Sequence, residues 1–447
     1  MNRTDWLATA ALVTLALVFP AGALLQPWLC PSRSHMPAVS RQLVAPTLLI
    51  TVAGLRADRL HHLGSAREVT PALDRLAEQG VSFRACWSAS NQATASAAAL
   101  LTGRCPSRTE VHAAGQRLKP GHETLAERFA AAGYATAAIV SNPELLDVGL
   151  EQGFASWDAR PLAPADEVVD AALQRLRADA DRSFVLWLDF SDLLQPYGGP
   201  GLDTAAFAPD APPGLGSTPD DYDLTESELA ARGWGARELA WMSARYDAAL
   251  SRLDAAIGRL LAGLQELGRL DLMTVCLTGL RGERLDERPA RVFAHGKDLF
   301  EGSLRVPLIL RLPGQQSRGL RPTRLAQGLD VAPTLVDLWL RQEWQGPVGR
   351  SLKTVIQSQY VVNKAIFAEG LVQPDPNAPP RPALAVRTAT GKTNLKVVLD
   401  EDRRILGAFR FPEDLEERAS LSLAPQQLEL LETQWAQALG NQAGCLP

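Results

Sequence analysis

Apolar positions along the chain follow two periods that alternate. Leu43–Leu55 (LVAPTLLITVAGL) is a run of apolar and β-branched residues, the pattern of a strand buried on both faces. Pro71–Gly80 (PALDRLAEQG) spaces its apolar residues three to four apart and ends on glycine, a helix with its C-cap. The same reading predicts a helix over His122–Gly133, a strand over Thr136–Ser141, a helix over Asp166–Ala178 and a strand over Ser183–Phe190. Ser227–Leu267 carries a long helical pattern, interrupted near Gly233 and Gly235. Strands follow at Leu272–Thr278 and Val306–Leu312, then a helix at Val331–Leu340. The Pro/Gly-rich stretch from Gln195 to Asp220 has no periodicity and reads as a surface loop. Past about Val355 the pattern changes: Ala383–Leu399 and Ile405–Phe411 read as strands of a small antiparallel sheet, and Pro425–Leu439 as a closing helix. Strands parted by helices require crossover connections, so the expected fold class is α/β. It is a large mostly parallel sheet sandwiched by helices, with a small C-terminal antiparallel-sheet subdomain.

The N-terminus stands apart. No charged residue occurs from Trp6 through Ser32, and the apolar run within it has about the length that crosses a bilayer. Ala21-Gly22-Ala23 has the small-x-small form of a leader-peptidase site, so residues 1–30 read either as a signal peptide cut after Ala23 or as an uncleaved membrane anchor. Residues 31–42 are a polar linker, 43–350 the α/β domain and 351–447 the C-terminal subdomain. The expected location is exported, membrane-anchored or periplasmic/extracellular.

Composition narrows the chemistry. The 447 residues are 46% hydrophobic and 21% charged, the balance of a folded globular chain. A net charge of -5 argues against a nucleic-acid partner. The five cysteines, at 30, 86, 105, 276 and 445, are isolated, so they suggest neither a zinc site nor a disulfide framework. The glycines near Gly199 lack phosphate-loop spacing, which excludes nucleotide binding by that route.

Several segments, in order, resemble the sulfatase family of the alkaline-phosphatase-like superfamily. They include LLITVAGLRADRL (48–60), TPALDRLAEQGVSF (70–83), AALLTGRCPSR (98–108), FVLWLDFSD (184–192), TGLRGE (278–283), AHGKDLFEGSLRVPLILRLPG (294–314) and LDVAPTLVDL (329–338). The resemblance implies an active site at the carboxyl ends of the strands. It also implies sulfate-ester hydrolysis with calcium or magnesium held by oxygen ligands. The nucleophile would be a formylglycine made from Cys or Ser in a C/S-x-P-x-R pattern.

At the positions that the resemblance singles out, the sequence departs from it. Two Asp ligands are expected after the first strand, where Ala53 and Gly54 stand. Counting back from Leu100–Arg104 puts Ala93 at the nucleophile, Ala95 at the proline and Ala97 at the arginine. Leu280 and Arg281 replace a second ligand pair, and Leu194 falls on a substrate-binding histidine. His295 and Lys297 survive, the lysine being the one that contacts sulfate in active relatives. Alanine, glycine and leucine offer a cation no side-chain donor.

Three readings follow. The first is a non-catalytic pseudoenzyme without a cofactor, in which Arg281, His295 and Lys297 hold a sulfated or phosphorylated ligand, or in which Arg281, Lys297 and Asp189 close into an internal salt-bridge network. The second is an ester hydrolase with a rebuilt site, using Thr94 or Ser96 at a helix start and a metal only if new ligands exist. The third is a membrane-anchored assembly or interaction protein with a protein partner.

Overall fold

The computed structural model describes residues 45–423, apart from 179–182, 200, 213, 286–290, 343, 345–347, 359–364, 391–392, 412–413 and 415–416. The expected signal or anchor (1–30), the linker and the closing helix at 425–439 therefore lie outside the described residues. Among the described residues no helix is long and apolar enough to cross a membrane.

The main sheet has seven strands: β1 (Thr47–Ala53), β2 (Val81–Ser82), β3 (Ala135–Val140), β4 (Ser156–Ala159), β5 (Phe184–Phe190), β6 (Thr274–Arg281) and β7 (Leu308–Arg311). Their order across the sheet is β2-β7-β6-β1-β5-β3-β4. The run from β6 to β4 is parallel, while β7 pairs antiparallel with β6 and β2 antiparallel with β7. Every residue of β1, β5 and β6 is buried, as the continuous apolar runs require when helices cover both faces.

The covering helices are α1 (Pro71–Glu78), α2 (Ala93–Thr102), α3 (Leu125–Ala131), α4 (Ala165–Ala178), α5 (Glu226–Arg232), α6 (Ala236–Glu266) and α7 (Val331–Trp339). Ile50 and Val52 of β1 and Leu188 of β5 share one core with Leu253, Ile257, Leu260 and Leu264 of α6. Each such side chain contributes roughly 1.5–3 kcal/mol by leaving water. The break seen in the Ser227–Leu267 pattern is a helix end: Gly233 at φ 67° terminates α5, and Gly235 starts α6 with its N–H donating to Glu238 at 2.8 Å. The helix expected from His122 begins at Leu125, because Thr124 and Glu127 form a reciprocal capping box.

The C-terminal subdomain is a four-stranded antiparallel sheet of β8 (Ile366–Val372), β9 (Arg381–Thr390), β10 (Thr393–Asp400) and β11 (Ile405–Arg410), paired in chain order. The single strand expected over Ala383–Leu399 is two, with Thr390 opposite Thr393. Of the cysteines, Cys86 and Cys276 are buried free thiols, but Cys105 is disulfide-bonded, a crosslink that the scattered spacing did not announce.

Two hydrogen-bond sets pin the segment between β1 and β2. His62 Nδ1 lies 2.7 Å from Asp74 Oδ1 and its Nε2 3.0 Å from Ser82 Oγ. Ser82 is fully buried, so this chain of contacts ties three segments together and presents no nucleophile. Thr70 precedes α1 without a side-chain cap, and Asp254 of α6 supplies one, accepting the Ala72 and Leu73 N–H groups at 2.9 and 2.8 Å. Replacing Asp254 by Ala leaves those donors buried without partners and is expected to lower stability in urea denaturation by about 1–3 kcal/mol.

Candidate functional site

The strand order brings the ends of β1, β5 and β6 together with the start of α2. Ala53 faces Arg281 in register, and the Gly54 N–H donates to the Arg281 carbonyl at 3.0 Å. Gly54 sits at φ +87°, where a Cβ would come 2.7 Å from the Leu193 carbonyl oxygen. Position 54 therefore admits no longer side chain without movement of the Leu193 backbone. The Gly54 carbonyl accepts the Tyr246 hydroxyl at 2.7 Å. Ala53 and Leu280 are buried and apolar.

All ten residues of α2, Ala93 and Ala97 among them, are buried. The Thr94 hydroxyl donates to the Glu144 carbonyl at 2.8 Å, and the Ser96 hydroxyl donates to the Ser90 carbonyl at 2.9 Å. Both commit their proton to backbone, and neither has an imidazole or carboxylate as its acceptor. Just before the helix, the Gln92 side-chain amide donates to the Gly296 carbonyl at 2.8 Å.

Arg281 is the central charge. Its side chain is 1% exposed and its Nη1 lies 2.6 Å from Glu283 Oε2, which is fully buried. The same nitrogen donates to the Gly282 carbonyl at 3.0 Å. The Arg281 Nε and Nη2 groups have no hydrogen-bond partner among the described residues. Burial pulls the guanidinium pKa down, but Glu283 and then Glu144 more than restore it, so Arg281 keeps its charge. Burial likewise pushes the Glu283 carboxyl up, and Arg281 with His295 outweighs it, holding the group below its ordinary range. The other oxygen of Glu283 accepts the Tyr197 hydroxyl at 3.2 Å and a proton of the Gln195 amide.

The remaining candidates lie around this pair. His295 is 36% exposed in its side chain, with Nδ1 3.6 Å from Glu283 Oε1. Lys297 pairs with Asp223. Leu194 is half-buried, its N–H donating to the Ser191 carbonyl. The network expected to join Arg281, Lys297 and Asp189 does not form. β1 lies between β5 and β6, so Asp189 and Arg281 are two strands apart, about 10 Å at the usual spacing. Asp189 instead accepts the Thr51 hydroxyl at 2.6 Å and the Asn142 N–H at 3.3 Å, and burial pushes its carboxyl up to about 7. Each charge has found a local partner, and Glu283, Gln195, Tyr197 and Asp223 are the residues that the sequence reading did not single out. Arg281-Gly282-Glu283 carried the one available signal, opposite charges flanking a glycine.

A mixed sheet of this order, with a buried helix start at the carboxyl edge of its central strands, is the architecture of the alkaline-phosphatase-like superfamily. Within it the chain belongs to the sulfatase family, whose model matches residues 47–339. An arylsulfatase of Clostridium perfringens is 24% identical over 381 residues, covering 70% of this chain and 78% of that enzyme. The phosphonate monoester hydrolase of Agrobacterium radiobacter has the same fold, with a TM-score of 0.72 at 18% identity over 90% of this chain and 96% of that one. So has a protein solved with its substrate D-glucosamine-2-N,6-O-disulfate, with a TM-score of 0.69 at 17% identity over 90% and 99% of the two chains.

The buried pair makes a sharp energetic statement. Arg281→Met strands the Glu283 carboxylate and is expected to cost about 3–5 kcal/mol in chemical denaturation. Adding Glu283→Gln removes the stranded charge and is expected to return at least about 1 kcal/mol of that loss, a coupling that independent sites do not show.

Proposed function

We propose that this chain is a non-catalytic member of the sulfatase family, a pseudoenzyme whose sheet-end site carries an internal cation in place of a metal. The observation that carries this reading is the buried Arg281–Glu283 pair. By the resemblance, Ala53, Gly54, Leu280 and Arg281 stand at the four metal-ligand positions. Three of these offer a cation no side-chain donor and the fourth repels it. Glu283, the carboxylate paired with Arg281, also accepts from Tyr197 and Gln195. The residues present do not fit a calcium or magnesium ion. Ala93, at the nucleophile position, has no reactive atom, and the neighbouring hydroxyls of Thr94 and Ser96 are bonded to backbone.

What such a site retains is recognition. The two unpartnered donors of Arg281, with His295 and Lys297 nearby, have the chemistry to receive an anionic group, sulfate or phosphate, without cleaving it. The fold's occurrence in a protein solved with a disulfated glucosamine is in keeping with such a ligand. The charge-free run from Trp6 to Ser32 supports export with anchoring at a membrane. The disulfide at Cys105 supports an oxidising compartment.

The test is turnover. With calcium or magnesium supplied, the purified protein is expected to hydrolyse p-nitrophenyl sulfate, p-nitrophenyl phosphate and a phenylphosphonate monoester no faster than a heat-inactivated sample. Saturable, metal-dependent release of nitrophenol or phenol from any of the three overturns the reading.

A further inference from the structure

A cavity of about 630 Å³ shares no residue with the Arg281 site. Its walls come from the turn after β1, from α6, from the short helix Glu301–Leu304 with Arg305 after it, and from the segment at Glu417. The volume falls within the roughly 300–1,000 Å³ common to small-molecule sites.

The charges lining it do not balance. Asp247, 1% exposed in its side chain, is shared by two guanidinium groups, with Arg67 Nη1 at 2.7 Å and Arg59 Nη1 at 3.2 Å. Asp58 accepts the fork of Arg56 through Nε at 2.9 Å and Nη2 at 2.6 Å, while Arg305 adds a second positive charge to the same neighbourhood. Burial pushes the Asp58 carboxyl up, yet Arg56, Arg59 and Arg305 hold it well below the ordinary range, the response of an acid in a strongly positive field. The other acids on the walls are matched: Asp298 by Arg284 at 3.0 Å, Glu301 by Arg387 at 3.2 Å and Glu417 by Lys396 at 2.8 Å. Arg418 aside, four arginines (56, 59, 67 and 305) thus face two carboxylates, a surplus of two positive charges among the described residues of the wall. Such a cleft focuses its field and draws anions. Guanidinium forks match the geometry of phosphate, sulfate and carboxylate oxygens.

We infer that this cleft binds a small polyanion carrying two or more phosphate, sulfate or carboxylate groups. Arg67, whose side chain is 54% exposed, and Arg305 supply the surplus charge from two separate segments of the wall. The two carboxylates act as anchors, holding Arg59 and Arg56 in place. The site stands independently of the sheet-end reading. Turnover of a sulfate ester would overturn the pseudoenzyme proposal and leave this cleft untouched.

Isothermal titration calorimetry on the full chain with two probes, inorganic pyrophosphate and sucrose octasulfate, tests it. Saturable binding of either is expected, weakened by raising the salt; which probe binds distinguishes phosphate from sulfate recognition. Arg67→Gln combined with Arg305→Gln leaves Asp247 with Arg59 and Asp58 with Arg56, so the variant keeps both buried pairs. It is expected to bind about tenfold more weakly or worse. Arg160→Gln, a surface arginine paired with Asp158 and absent from the cleft, is expected to bind as the unaltered chain does. The inference is overturned if neither probe binds at millimolar concentration, if the double variant binds undiminished, or if Arg160→Gln weakens binding equally.

Discussion

The ion pair between Arg281 and Glu283 sets the arrangement of everything at the carboxyl edge of the sheet. A guanidinium at 1% exposure and a carboxylate at 0% are tolerable only as partners, since either one alone in the interior costs several kcal/mol. Glu283 lies two residues beyond Arg281, just past the end of β6, where the backbone is held by the Gly282 N–H donating to the Ser303 carbonyl at 2.8 Å and the Glu283 N–H donating to the Gly302 carbonyl at 3.0 Å. The free oxygen of Glu283 gathers Tyr197 and Gln195, which fixes the chain that follows β5. The Glu283 carbonyl accepts Arg56 Nη1 at 2.9 Å, which links the same point to the turn after β1. Three strand exits are thereby locked around one polar centre whose acceptors are all spoken for.

The same rule governs the seam between the α/β domain and the C-terminal sheet. Lys396 of β10 is fully buried, its Nζ 2.8 Å from Glu417, 3.6 Å from Glu301 and 4.8 Å from the centre of the Trp87 ring. Glu301 also accepts the Trp87 indole N–H at 2.9 Å and pairs with Arg387 of β9. Burial pushes the Glu417 carboxyl up against the pull of Lys396. Two cations and two carboxylates therefore cancel at the joint, which keeps Glu301 and Glu417 from neutralising the arginines of the neighbouring cleft. At the sheet edge and at this joint buried charge is matched at short range, whereas in the cleft Arg67 and Arg305 add charge beyond the two carboxylates.

The sheet was legible because a parallel strand covered on both faces writes itself as a continuous apolar run; β1 and β5 sit inside the stretches expected of them, while β6 runs three residues past Thr278 to Arg281. The antiparallel pair β9–β10 was read as one strand although a glycine, a break signal in the sequence, interrupts the run at position 391. β8 was not read at all, since Glu369 and Gly370 interrupt its apolar residues. At the site, residue identities such as Arg281 and Ala93 were legible from flanking motifs. Their partners were not, because the order of strands is a tertiary fact. Nothing local says that β1 intervenes between Asp189 and Arg281, nor that Asp223, in an irregular stretch, reaches Lys297 74 positions away. The cleft escaped for the same reason. Arg56, Arg59 and Arg67 read as ordinary turn residues until Asp247 and Arg305, from distant segments, stand beside them.

The proposal that a guanidinium stands where a divalent ion would bind is tested by the protein's metal content. Elemental analysis of the purified protein, prepared without chelators and dialysed against metal-free buffer, should find calcium, magnesium and transition metals each well below one per chain. One equivalent of any divalent ion, retained through dialysis and lost together with thermal stability on treatment with a chelator, would contradict it.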